Sequence, residues 1–534
     1  MKQVPSHPVL TCAEAKGWET RLLKDELAEW VAMQQAGTAV ADAFKADYRE
    51  IGGLPDNARL LVLAGKGHNG GDALLATKGL LEGRPAATVD LLLCFGDTAL
   101  RPLAKRSLHE LQRTAGPRLR GVTLANLKSE LASYDACVDG VYGFQFRPPL
   151  DESTAELLVW VNAHPRIRLR AAVDLPSGLG DENADTVFRA DFTYATGIVK
   201  APAVAPANAA FVGRLRYLDL GFFGAAHGED LPNPVDPVGR VVPDEPASNA
   251  RVLTKGILAP LTQLRPSLSD KRVYGHLLVL GGSHSYPGAV LLAVRAALRS
   301  GVGLITAFVP EKLVPEYAAR HPEAMWVGCP VNAAGGIAQA SLALVRERMA
   351  RATALLLGPG LGAEAETVAL VTQIVAEAPV PLVLDADALR PEVVAAVRHK
   401  PFIGTPHAGE YQRIAPALPV ATQGVVVLKG PLTRVYSRAG LRPAEGGQSQ
   451  TGPTTYYSPF GGPVLARGGS GDILAGLIGG LLAQKPNDPL LAACRGVVWH
   501  GRAADLLART QGQVAVETSQ LLEQLGPALT HLHD

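Results

Sequence analysis

ARLLVLAGKGHNGGDALLATKGLL, residues Ala58–Leu81, passes from an apolar run through a glycine-rich turn into a helical pattern. The run Ala58–Ala64 is almost wholly apolar, as a strand buried on both faces must be. The turn that follows, GKGHNGGDA (Gly65–Ala73), lets backbone approach a ligand closely, with N–H groups and the positive end of a helix dipole facing an anion. It matches neither GxxxxGK[ST] nor a good GxGxxG, and its glycines are equally explained by a tight strand-to-helix turn. Asn69 and Asp72 tip the balance toward a ligand, because a turn needs neither an amide nor a carboxylate there.

The same alternation continues outward. Val89–Phe95, Tyr134–Asp139, Leu169–Leu175 and Arg214–Leu220 are short apolar runs separated by helical stretches, the signature of a mainly parallel sheet with crossover helices. Residues 224–250, rich in Pro, Gly, Asp and Ala, read as a linker. Beyond them the pattern restarts, with strands expected at Leu277–Leu280, Leu304–Val309, Ala354–Leu357, Pro381–Leu384 and Val425–Leu428. Gly288–Arg299 and Ser470–Gln484 read as buried helices of small and apolar residues. The expectation is an α/β protein of two domains, residues 1–227 and 228–534.

Composition excludes several classes. With 47% hydrophobic and 19% charged residues the chain is a folded protein, and at 534 residues it exceeds one core. Its 51 Lys+Arg against 50 Asp+Glu argue against a nucleic-acid partner or an acidic membrane surface. The first residues lack the apolar stretch of a signal peptide, and no run of about 18 apolar residues occurs. Five scattered cysteines read as reduced thiols, so the expected compartment is the cytoplasm.

Two more strand ends carry ligand-type groups, Asp139 in DGVYGFQFRPP and Asp174 in DLPSG with Ser177. In open α/β sheets ligands sit beyond the carboxyl ends of the strands, so these groups converge with Asn69 and Asp72 on one pocket. Taken singly, each Asp is better explained by capping a turn or helix; taken as a set, they are better explained by a pocket. NGGD, VDGVYGF, AVDLPSG and ADFTYATGIVK (Ala190–Lys200), in this order, resemble the NAD(P)H-hydrate epimerases over residues 10–225. The resemblance implies a Rossmann-like three-layer αβα domain. It implies that His68, Asn69, Gly70, Gly71 and Asp72 bind the hydrated nicotinamide nucleotide, together with Gly143, Phe144, Gln145, Phe146, Arg147, Pro148 and Pro149 and with Asp174, the acid/base candidate. It implies K+ held by Asn69, Asp139 and Ser177, oxygen donors suited to a hard cation. The family carries Asn where this chain has His68 and Gly where it has Ala73.

In the second half, GGSGDILAGLIGGLLAQ (Gly468–Gln484) sets helix N–H groups beside a carboxylate. The N–H groups suit a transferring phosphoryl group, and Asp472 can accept a proton from an attacking hydroxyl. A lone GxGD is more often an ordinary helix start. Here LVLGGSHSYPGA (Leu278–Ala289), LLGPGLG (Leu356–Gly362), LVLDADAL (Leu382–Leu389), TPHAGEY (Thr405–Tyr411) and VVLKGPLT (Val426–Thr433) accompany it. The set resembles the ADP/ATP-dependent NAD(P)H-hydrate dehydratases, of ribokinase-like αβα fold, over residues 250–530. The resemblance puts the hydrate against Ala289, Gly360, His407 and Asp472, and the nucleotide against Lys429, Gly430, Pro431, Leu432, Thr433 and Gly471. His407 is also a natural helix cap. Asp385 and Asp387 either assist Mg2+ through water or cap the next helix. Arg467 replaces a small polar residue next to the phosphate site.

Together the resemblances imply repair of NAD(P)H hydrates: the first domain interconverts R and S forms, and the second dehydrates the S form with ADP or ATP. A homo-oligomer is expected, with no nucleic-acid or membrane partner. The rival readings are a sugar or vitamin kinase with a non-catalytic first domain, and a binding protein without catalysis.

Overall fold

The computed structural model describes residues 4–130, 132–224, 249–418, 424–437 and 454–530. It divides into two compact units, one of Met1–Ser6, Leu253–Leu507 and Gln513–Asp534, the other of His7–Val252 and Ala508–Gly512. Most of the expected linker, and the expected boundary at 227/228, lie outside the described residues. No described helix is long and apolar enough to cross a membrane.

The first unit in chain order is built on a seven-stranded parallel sheet. Its spatial order is Leu119–Gly121, Thr88–Leu93, Arg59–Ala64, Ala136–Gly140, Arg170–Val173, Phe192–Thr196 and Arg214–Leu218. From Arg59–Ala64 the chain moves first to one side and later returns to pair Ala136–Gly140 on the other. Strand order therefore reverses between those two strands, the place at which open α/β sheets bind ligands. Helices Glu26–Tyr48 and His68–Leu81 bury Phe44, Leu74 and Leu80 against one core, while Leu157, Leu158 and Val161 of helix Glu152–Ala163 fill the other.

The second unit repeats the plan with different residues. Its sheet runs Met325–Cys329, Leu304–Pro310, His276–Leu280, Ala354–Leu357, Leu382–Leu384, Phe402–Gly404 and Gly424–Leu428, all parallel, then antiparallel Arg434–Ser437 and Thr455–Tyr457. Here the reversal lies between His276–Leu280 and Ala354–Leu357. The expected helix Ser470–Gln484 forms as read, and the other expected helix starts at Pro287. The two pack closely because Gly476 has no side chain: a Cβ there would lie 2.0 Å from the Ala293 carbonyl oxygen.

Two candidate active sites at the sheet reversals

In the first unit the Arg59–Ala64 strand turns at Gly65, where a Cβ would lie 1.9 Å from the Val141 carbonyl oxygen. Helix His68–Leu81 then opens on Gly67 without a side-chain cap, so its first N–H groups keep no partner of that kind. Both polar atoms of the Asn69 amide, and Oδ1 of Asp72, are buried without a hydrogen-bond partner. Burial, reinforced by Asp174 and Glu19, pushes the Asp72 carboxyl far above its ordinary value.

At the adjacent strand end Asp139 is fully buried. Its Oδ1 accepts from Ser177 Oγ at 2.6 Å and from the Val141 N–H at 3.2 Å, and its Oδ2 from the Ser177 N–H at 2.8 Å. Burial still wins over these bonds and pushes the carboxyl up to about 6. Ser177 Oγ in turn accepts from the Tyr142 N–H at 2.9 Å. Asp174 has a positive φ of 67°. Its Oδ2 accepts from the Phe144 N–H at 2.9 Å, and its Oδ1 pairs with Lys200 Nζ. Gly143 lies between the two groups, since a Cβ there would come 2.9 Å from Asp174 Oδ2 and 3.2 Å from Asn69 Cγ. Asn69, Gly143, Asp174, Asp139 and Ser177 thus share one locus.

Gln145 is exposed, Arg147 donates to the Phe146 carbonyl at 2.7 Å, and His68 Nε2 lies 3.6 Å from Glu29 Oε2. Two residues went unassigned in the sequence. Lys200 closes the quoted ADFTYATGIVK segment, and Glu19 comes from the first helix, Cys12–Leu22. Burial pushes Glu19 up to about 7, with Lys200 opposing and Asp174 adding to the rise. No local pattern marks Glu19; a lysine in a buried apolar run could have singled out Lys200.

In the second unit Gly281 and Gly282 end one strand and Gly358, Pro359 and Gly360 lie at the end of its neighbor, joined by the Gly282 N–H donating to the Pro359 carbonyl at 2.8 Å. Gly360 has φ +67°, and a Cβ there would meet the Tyr286 carbonyl oxygen at 2.4 Å and Ala289 Cβ at 3.0 Å. Gly360 and Ala289 are therefore neighbors. Asp472 sits in the first turn of helix Ser470–Gln484, whose N-terminus at Gly469 (φ +91°) carries no side-chain cap. Lys429 Nζ lies 3.0 Å from Asp385 Oδ1 and 3.1 Å from where a Cβ on Gly471 would be. Burial, then Asp385, pushes Asp472 up to about 7, against the pull of Lys429.

Asp385 also accepts from Thr405 Oγ1 at 2.6 Å, and Asp387 Oδ2 accepts from the Gly362 N–H at 2.8 Å. His407 is exposed and caps helix Ala408–Ile414, its Nδ1 accepting from the Gly409 and Glu410 N–H groups. Gly430 and Pro431 are exposed, with Leu432 and Thr433 partly so. Arg467 donates to the Gln513 and Val514 carbonyls. Among the described residues no three His, Cys, Asp or Glu side chains could hold a metal by themselves.

Known proteins match both halves. A family model described as NAD(P)H-hydrate dehydratase matches residues 277–527, and one described as YjeF-related protein N-terminus matches residues 30–201. A bifunctional NAD(P)H-hydrate repair enzyme from Gloeobacter violaceus is 35% identical over 93% of this chain and 93% of its own length. The chain belongs to this family. A second bifunctional repair enzyme, from Moorella thermoacetica, is 31% identical over 98% of this chain and 97% of its own. A solved ADP/ATP-dependent NAD(P)H-hydrate dehydratase from Bacillus subtilis, co-crystallized with ATP/Mg2+, is 27% identical over 52% of this chain and 97% of its own, with a TM-score of 0.41. The chain is accordingly a bifunctional enzyme with an epimerase half and a nucleotide-dependent dehydratase half.

Proposed function

We propose that the crevice of the second unit phosphorylates and dehydrates the S form of NAD(P)H hydrate with ADP or ATP, and that the crevice of the first interconverts the R and S forms. The observation that carries the reading is the Asp472 constellation: a half-buried carboxyl in the first turn of an uncapped helix, facing Lys429. Hydroxide is a poor leaving group and phosphate a good one. Asp472 takes the proton of the C6 hydroxyl as the hydroxyl oxygen attacks the terminal phosphorus, breaking the phosphoanhydride P–O bond and releasing AMP from ADP or ADP from ATP. The helix N–H groups and Lys429 stabilize the charge that develops on the phosphoryl oxygens. Phosphate then leaves C6, a proton leaves C5, and the ring double bond returns. Ala289, Gly360 and His407 line the hydrate, and Lys429–Thr433 with Gly471 the nucleotide. Mg2+ belongs with the nucleotide, its charge offsetting that of the phosphates. Asp385 and Asp387 would hold it through water, which would suit an ion that keeps much of its hydration.

In the first unit C6 carries both a hydroxyl and the ring nitrogen. A proton delivered to the hydroxyl lets the nitrogen lone pair expel water, and water returning to the opposite face gives up a proton. Asp174 is the acid/base group. His68–Asp72 and Gly143–Pro149 hold the substrate. K+ fits beside Asn69, Asp139 and Ser177. The Asn69 amide lacks any partner, and Asp139 is a buried carboxyl whose charge a cation would stabilize. All five cysteines are free, which suits a cytoplasmic enzyme, and a homo-oligomer completes the proposal.

The test is to incubate the full chain with mixed R and S hydrates plus ADP or ATP while following NADH absorbance. Complete conversion supports the reading. Accumulation of a phosphorylated simple alcohol, with no NADH, would instead mark a kinase.

A further inference from the structure

Lys200 is 1% exposed, and a buried ammonium is costly unless its partners hold it in place. It ends the short strand Val199–Lys200, which pairs in parallel with Ser6–Leu10. Its Nζ contacts Asp174 Oδ1, lies 3.5 Å from the Thr196 carbonyl oxygen, and stands 4.8 Å from the center of the Phe144 ring. The Phe144 N–H meanwhile donates to Asp174 Oδ2 at 2.9 Å. Both oxygens of Asp174 are thereby fixed, one by the ammonium and one by the backbone over whose side chain that ammonium sits. Nothing in the packing of the sheet requires a charge at this position, because an apolar side chain would fill the same space without the desolvation.

We propose that Lys200 is a positioning residue of the epimerase site, clamping Asp174 in the orientation the reaction uses. This rests on the reading of Asp174 as the acid/base group. Asp72 and Glu19 face the same ammonium without a hydrogen bond to it, and three carboxyl groups around one cation cannot all ionize at equal cost. Asp174 alone touches the ammonium, while Asp72, pushed far above its ordinary value by burial, is the group that holds a proton. A site that must give a proton to one face of C6 and take one from the other needs that division between two carboxyl groups.

The test uses the full chain without nucleotide, following R-to-S exchange by chromatography. Lys200→Met should lower epimerase kcat on the order of 10²-fold with KM little changed, since substrate contacts remain. Asp174→Asn should be slow by a similar factor. The double variant leaves neither charge buried alone, so it folds even if Lys200→Met does not, and it should be no slower than Asp174→Asn. Wild-type kcat in Lys200→Met, or a double variant slower than Asp174→Asn by a further order of magnitude, overturns the inference. Full activity in Asp174→Asn would sink the acid/base reading itself.

Discussion

Asp472 shows how a single side chain acquires its chemistry from its surroundings. The carboxyl is raised to about 7 by burial and by Asp385, while Lys429 pulls the other way. A general base works only when ionized, so dehydratase kcat/KM should fall about tenfold per pH unit below pH 7 and level off above it. A profile flat from pH 5 to 8 would exclude Asp472 as that base. Asp472→Asn should lower dehydration on the order of 10²–10⁴-fold while ADP still binds and epimerization is untouched. Asp472 and Lys429 could be singled out because each lies in a short segment that reads as a ligand loop, and the structure brings the two near Asp385. Glu19 could not, because it comes from a distant helix that meets the site only in the fold, whereas Lys200 carried a signal, a lysine in an apolar run, that went unread. His407 was legible in both its readings, and the cap is the one its hydrogen bonds display.

Elements carry the sites to their places, and the glycines at strand ends show how tightly. Gly360→Ala would set a Cβ 2.4 Å from the Tyr286 carbonyl oxygen at a φ of +67°. The left-handed backbone alone costs about 1–2 kcal/mol, and the clash adds to it. The variant should lower the denaturation midpoint and raise KM for the hydrate, measurable by thermal melts and initial rates. Asp139→Ala should weaken K+ dependence of epimerization, read as the K+ concentration giving half-maximal rate. An unchanged K+ response would remove Asp139 from the ion's ligands. The long apolar strands were readable, since buried parallel strands are continuous apolar runs. Leu119–Gly121 holds Arg120 and a glycine, and Phe402–Gly404 ends on a glycine, so neither three-residue strand stands out as an apolar run as Leu382–Leu384 does. Phe192–Thr196 breaks its apolar run with Thr193, Tyr194 and Thr196, and was quoted for its motif, not as a strand.

At the scale of the whole molecule, both units carry candidate groups at the carboxyl ends of parallel strands, though they share no motif. That repetition explains how two activities can occupy one chain without sharing catalytic residues. It also makes the division of labor testable without cutting the protein. The Asp472→Asn chain, given pure R hydrate, should produce an R/S mixture and no NADH. The Asp174→Asn chain, given both hydrates and ADP, should convert the S form and then stall, leaving the R form to its slow spontaneous exchange. Mixing the two variants should restore complete conversion, because the S hydrate can diffuse from one molecule to the other. The readout is NADH absorbance with chromatographic quantification of each epimer. If the Asp174→Asn chain instead consumes both epimers at one rate, the dehydratase site does not discriminate between them. The first unit's crevice would then have to serve some chemistry other than supplying the S form.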